Sequence, residues 1–148
     1  MLDPTFATSV RRFIYVWWIE HGAPPTARDV AQTFRRDVTE IEDVFLTFAD
    51  ERTIVLAPGT RSIWMAHPFS AIPTTYQVTC GPYSFWATCA WDALGIAGML
   101  GQDTDCEPLC ADCDESLNLS LRHGKVCDDA VVHFAVPPRD FWKDIGYT

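Results

Sequence analysis

The stretch Trp86-Ala-Thr-Cys89-Ala-Trp91-Asp92-Ala-Leu94 constrains this chain most. It sets a thiol and a carboxylate three residues apart inside an apolar run. A fold that buries the run buries both ionisable groups with it, which is costly unless they are paired or used. If the run is helical, a spacing of three puts both groups on one face, about one turn apart. Tyr83 to about Leu100 is the strongest helix pattern in the second half, with Gly101 as its stop. Gly95 and Gly98 lower its propensity but allow close packing.

At 148 residues and 48% hydrophobic, the chain can build a packed core of one medium domain or two small ones. Its net charge of −9 is uneven. Residues 1–65 hold seven Lys/Arg against nine Asp/Glu; residues 66–148 hold four against eleven. Such an acidic second half repels phosphate backbones and argues against nucleic-acid binding there. No apolar run reaches the length of a membrane span, and the first residues lack the order of a signal peptide. A cytoplasmic location is therefore expected. There, six cysteines point to metal binding or catalysis before a disulfide framework.

In chain order, Val10, Phe13, Ile14, Trp17 and Trp18 predict a helix over residues 6–21, ended by Gly22 and Pro24-Pro25. Thr26, with Asp29 three residues on, predicts a capped helix over 27–34. Thr39 with Glu42 predicts another over 40–50. Residues 53–56 and 62–65 flank Ala57-Pro58-Gly59-Thr60 and read as a hairpin. Three helices and a hairpin give the order of a winged helix, so residues 1–66 are expected to form a winged-helix-like N-terminal domain. The region has no net positive charge, which favours packing over DNA reading. Two prolines make residues 67–73 a linker, with His67 as a turn polar. Residues 76–80 alternate as a strand up to the Gly81-Pro82 turn. Leu117, Leu119 and Leu121 predict another strand, Arg122 to Lys125 a turn, and Val126–Val136 a further strand. His133 on that strand reads as a core residue. Asp140–Trp142 begins a helical turn.

The segment Phe85-Trp-Ala-Thr-Cys89-Ala-Trp-Asp92-Ala-Leu94 resembles the Trp-Cys-Ala-x-Asp-x-Leu signature of the organomercurial (alkylmercury) lyases. So does its setting: a Cys-bearing turn and Leu-alternating strand (Cys110 to Leu121), then Val132-His133-Phe134 with a following proline and Trp142. His67-Pro-Phe-Ser-Ala-Ile-Pro-Thr74 is similar to the lyase-like branch of that family. The resemblance runs from about residue 24 onward. It implies an α+β fold: a winged-helix-like helical part, then a small antiparallel-sheet domain (67–148) carrying the Cys/Asp helix.

The resemblance also implies a reaction, protonolysis of a carbon–mercury bond by two thiols and a carboxylate, as used in mercury resistance. Two soft thiolates grip mercury, and the carboxylate moves a proton to the departing carbon. Cys89 matches the first thiol and Asp92 the proton carrier. Alignment on His133-Phe134 puts Asp129 where the family has its second thiol. Cys127, two residues earlier, shares a strand face with Asp129 and is the candidate substitute. A helix N-terminal position would lower the Cys89 pKa, and burial among apolar neighbours would raise that of Asp92. The implied partners are a small organometallic substrate and low-molecular-weight thiols. No organic cofactor is implied; the candidate metals are zinc and substrate-derived mercury.

Cys110-Ala-Asp-Cys113 has the spacing of half a zinc site, and Cys106 stands close by. Cys89, Cys106, Cys110 and Cys113 are thus the candidate metal ligands. Two other readings stay open: a non-catalytic thiol protein binding mercury, zinc or copper, and a metal-sensing winged-helix regulator. Oligomeric state is not legible in the sequence.

Overall fold

A computed structural model describes residues 2–146. Helix α1 (Pro4–His21) is capped by the Asp3 side chain, starts on Pro4 and ends on Gly22 in the left-handed region. Val10, Ile14 and Trp18, four apart, are fully buried along one face. Helix α2 (Ala27–Phe34) starts on the Thr26/Asp29 capping box that its sequence predicts. Helix α3 (Val38–Asp50) begins two residues before its expected start. Asp37 is its N-cap, and Thr39 lies inside the first turn, so the Thr39/Glu42 box does not form the boundary. Ile41, Val44, Phe45 and Phe48 are buried as the pattern requires.

The hairpin β1 (Val55–Leu56) and β2 (Ile63–Ala66) follows, around Ala57 to Ser62. The next segment departs from its reading as a linker. Phe69 and Ser70 form strand β3, and both are buried. Ala66 pairs with Phe69, so His67-Pro68 is a two-residue hairpin turn with a cis peptide bond. The prolines were a sound turn signal, but Phe69 between them is a core residue with strand neighbours on both sides.

A second departure concerns residues 83–100. Only Ala90–Leu100 is helical (α4). Tyr83–Ala87 is strand β5, paired residue for residue with β4 (Gln77–Cys80) across the Gly81-Pro82 turn. Phe85 and Ala87 face the core, while Ser84 is exposed and Trp86 half-buried between them; this period-two alternation is the mark of a strand. The sheet order is β1-β2-β3-β5-β4, antiparallel throughout.

Past α4 the backbone is mostly irregular. Leu121–Arg122 (β6) and Lys125–Val126 (β7) form a short hairpin whose turn residues His123 and Gly124 both have positive φ. The longer strands expected over 117–121 and 126–136 do not form. Leu119 reaches the core, but Val131 is 92% exposed, and residues 127–136 pair with no strand among the described residues. Alternating hydrophobicity without a partner edge does not make a strand. Pro138–Lys143 is a 3₁₀ helix, as the local pattern at Asp140–Trp142 suggests.

One buried cluster runs from Val10 through Phe45, Phe69 and Phe85 to Ile96 and Leu119. The helices α1–α3 and the antiparallel sheet with α4 make an α+β fold. Among the described residues no helix is long and apolar enough to cross a membrane.

Candidate active site

Strand β5 delivers the chain to Thr88 and Cys89, and α4 takes over at Ala90. Cys89 is the N-cap: its backbone is extended (φ −153°, ψ 179°), and its carbonyl accepts from the Ala93 N–H at 3.0 Å. Its thiol does not cap the helix. That leaves the sulfur free to turn toward Asp92 in the first turn, where the Cys89 S–H donates to Asp92 Oδ2 over 3.6 Å.

Asp92 Oδ2 collects two further donors. The Thr88 hydroxyl donates to it in a short hydrogen bond. His67 Nδ1 lies 3.2 Å away and also 3.3 Å from Thr88 Oγ1. His67 is 25 residues from Asp92, and sheet pairing brings them together. Phe69 pairs with Ala87, so the His67-Pro68 turn lies beside the β5–α4 junction. The Thr88 N–H donates to the Pro68 carbonyl (3.3 Å), and the Tyr15 hydroxyl, from α1, donates to the His67 carbonyl (2.9 Å). The Trp142 ring meets the imidazole edge-on at 5.9 Å. With Nδ1 donating to Asp92, the remaining ring nitrogen Nε2 is buried and has no hydrogen-bond partner among the described residues.

The electrostatics run opposite to the expectation for both groups. Burial pushes the Cys89 thiol up; the adjacent Asp92 charge adds to this, and backbone N–H groups only partly offset it. Burial also raises Asp92, but hydrogen bonds from His67 and Thr88, the His67 charge and the Cys89 thiol together outweigh it, and the carboxyl ends below its ordinary range. The resting pair is therefore a protonated Cys89 beside an ionised Asp92.

These groups floor a pocket of about 600 Å³. Its walls are largely apolar: Trp64 and Ile72 on one side, Trp91 from α4, and Phe134, Phe141 and Trp142 from the C-terminal segment. Trp91 is 61% exposed, so it rims the pocket where core packing would have hidden it.

The remaining expected site residues lie elsewhere. Cys127 is exposed just after β7, and its N–H donates to the Ser120 carbonyl. Asp129 is exposed. Neither lines the pocket. Cys106 is buried in the core, which pushes its thiol up to about 11. Cys110 and Cys113 sit together on a surface turn. No group of three or more His, Cys, Asp or Glu suited to a metal ion forms among the described residues. The sequence reading missed His67 and Thr88 as partners of Asp92, and Trp64, Phe134 and Phe141 as pocket walls. The one available signal was His67 next to Pro68, a polar ring fixed at a turn.

The alkylmercury lyase family model matches residues 69–148, more than half of the chain, which holds β3, β5, α4 and the C-terminal aromatic residues of the pocket. The chain belongs to the alkylmercury lyase family. A solved structure, the mercury-bound form of MerB2, shares its fold: TM-score 0.67 at 24% identity, over 84% of this chain. This chain spans 60% of that structure's length. No curated protein matches the chain.

Proposed function

We propose that the pocket cleaves carbon–mercury bonds, with Cys89 as nucleophile and Asp92 as proton carrier. The observation that carries this reading is the Cys89 thiol 3.6 Å from an ionised Asp92, at the floor of an apolar pocket. Family membership and the mercury in the MerB2 structure support the same chemistry.

The proton balance follows from the resting state. As the Cys89 sulfur bonds mercury, its proton passes to Asp92. The neutral Asp92 then gives that proton to the carbon as the carbon–mercury bond breaks. R–Hg–SR′ and the Cys89 thiol become R–H and Cys89–S–Hg–SR′. Mercury starts on one carbon and one sulfur, gains the Cys89 sulfur as a third ligand, and ends two-coordinate on soft sulfur. His67 and Thr88 hold the carboxylate in line and keep it ionised until the thiol proton arrives. The apolar walls take the alkyl or aryl group and exclude water that would screen the exchange.

The second sulfur comes from a low-molecular-weight thiol, because Cys127 and Asp129 lie outside the pocket. The same observation favours a second reading, in which the pocket holds a soft metal on Cys89 without turnover. The two separate cleanly. Purified protein with excess thiol is expected to release the hydrocarbon from an organomercurial, and Cys89→Ala to abolish release. Mercury binding by the wild type with no hydrocarbon released would leave only the second reading.

A further inference from the structure

The turn between Pro108 and Leu117 lies outside the pocket and carries two of the six cysteines. It is closed by three backbone hydrogen bonds: Leu117 N–H to the Pro108 carbonyl (2.9 Å), Cys110 N–H to Glu115 (2.8 Å) and Asp114 N–H to Cys110 (3.0 Å). Asp114, at φ 58°, reverses the chain. Hydrogen bonding from the Asp112 and Cys113 N–H groups and from the Cys113 thiol draws the Cys110 thiol below its ordinary value. Cys113 is exposed and Cys110 half-buried. The Asp114-to-Cys110 hydrogen bond closes a single turn, on which positions three apart share a side, so Cys110 and Cys113 stand on one side of a surface turn.

The ligand count decides which cation suits this pair. Structural zinc takes four ligands. Among the described residues no third Cys, His, Asp or Glu joins these two in a metal-binding group, and the Cys106 sulfur is turned into the core. Calcium and magnesium require a shell of oxygens. A soft ion that accepts two sulfurs in line needs nothing more than the pair.

We infer that Cys110 and Cys113 form a bidentate surface site for a soft, two-coordinate cation of the Hg²⁺ or Cu⁺ class, separate from the Cys89 pocket. On binding, each S–H gives its proton to solvent and each sulfur makes one bond to the metal. No oxidation state changes. The site does not depend on whether Cys89 cleaves carbon–mercury bonds.

The test uses the full chain carrying Cys89→Ser and Cys127→Ser, which leaves Cys110 and Cys113 as its accessible thiols; Cys80 and Cys106 are buried. The protein is reduced, desalted and given equimolar HgCl₂ against glutathione at about 1 mM, and retained metal is read by native mass spectrometry. One mercury per chain is expected. Adding Cys113→Ser is expected to lower retention ~10²-fold, because the second sulfur no longer acts at the high effective concentration of a shared loop. In the wild type, alkylation mapping after mercury loading should show Cys110 and Cys113 protected together, which reads the site without any variant. Unchanged retention after Cys113→Ser overturns the inference. So does zinc held as tightly as mercury, or unprotected Cys110 and Cys113 in the loaded wild type.

Discussion

At Asp92 two opposed effects meet within one side chain. Burial favours the neutral acid, while donors from His67, Thr88 and Cys89 favour the anion, and the donors prevail. The anion in turn raises the Cys89 thiol beyond what burial alone does. The sign of a substitution follows. Asp92→Asn removes the neighbouring negative charge, so the Cys89 thiol ionises at lower pH. The midpoint of its iodoacetamide alkylation, read by peptide mass mapping against pH, is expected to move down. Hydrocarbon release should fall ~10²–10⁴-fold at the same time, the usual worth of a positioned proton carrier. A more reactive thiol with lost turnover separates proton delivery from nucleophilicity. A midpoint that stays or rises would mean that burial alone sets the thiol. From the sequence, Cys89 and Asp92 were legible as neighbours because three residues at a helix start fix their distance locally. The signs of their pKa shifts were not, because His67 enters from 25 residues away.

At the scale of elements, the junction of β5 and α4 places Cys89, the proposed nucleophile. A strand running straight into a helix puts Cys89 at the N-cap, where its backbone is extended and its side chain points off the helix end. A helix over the whole of 83–100 would have carried Cys89 mid-helix, packed against its own turns. The period-two alternation of residues 83–87 held that information, but so did the apolar run through Leu100, and strand pairing with β4 decided between them. The glycines of α4 are a separate matter. Gly98 is exposed, and a Cβ there would meet nothing within 4 Å. Gly98→Ala is therefore expected to stabilise the protein by about 0.5–1 kcal/mol through helix propensity alone. A thermal melt should show a rise of roughly 2–4 °C per kcal/mol at this size, with pocket chemistry unchanged. A lower melting temperature would reveal a contact on that face which the fold does not show.

Across the whole molecule, Phe69 ties the parts together. Its ring stacks on Trp18 of α1 at 5.5 Å and lies 5.3 Å from Phe85 of β5. Its backbone pairs with both β2 and β5. A division of the chain at residues 66 and 67 would pass through this sheet. Because sheet and core are shared, calorimetry is expected to show one unfolding transition. Phe69→Ala should lower that transition by about 3–5 kcal/mol, the cost of emptying a fully buried aromatic site. Two separable transitions in the wild type would instead establish residues 1–66 and 67–148 as independent folding units.

The sequence by itself determined what short-range physics controls. It set the three helices with their stripes and the Thr26 cap, the turns at Gly and Pro, and the neighbourhood of Cys89 and Asp92. These depend on contacts within a few residues, and residue type fixes them. Only the tertiary structure decided what depends on pairing partners. The β3–β5 ladder brought His67 to Asp92. The same sheet made residues 83–87 a strand. The C-terminal segment folded Trp142 over the imidazole, and the short β6–β7 hairpin left Cys127 and Asp129 at the surface, outside the pocket. Hydrophobic alternation is compatible with many partner edges, and the chain's closure around one core selects among them.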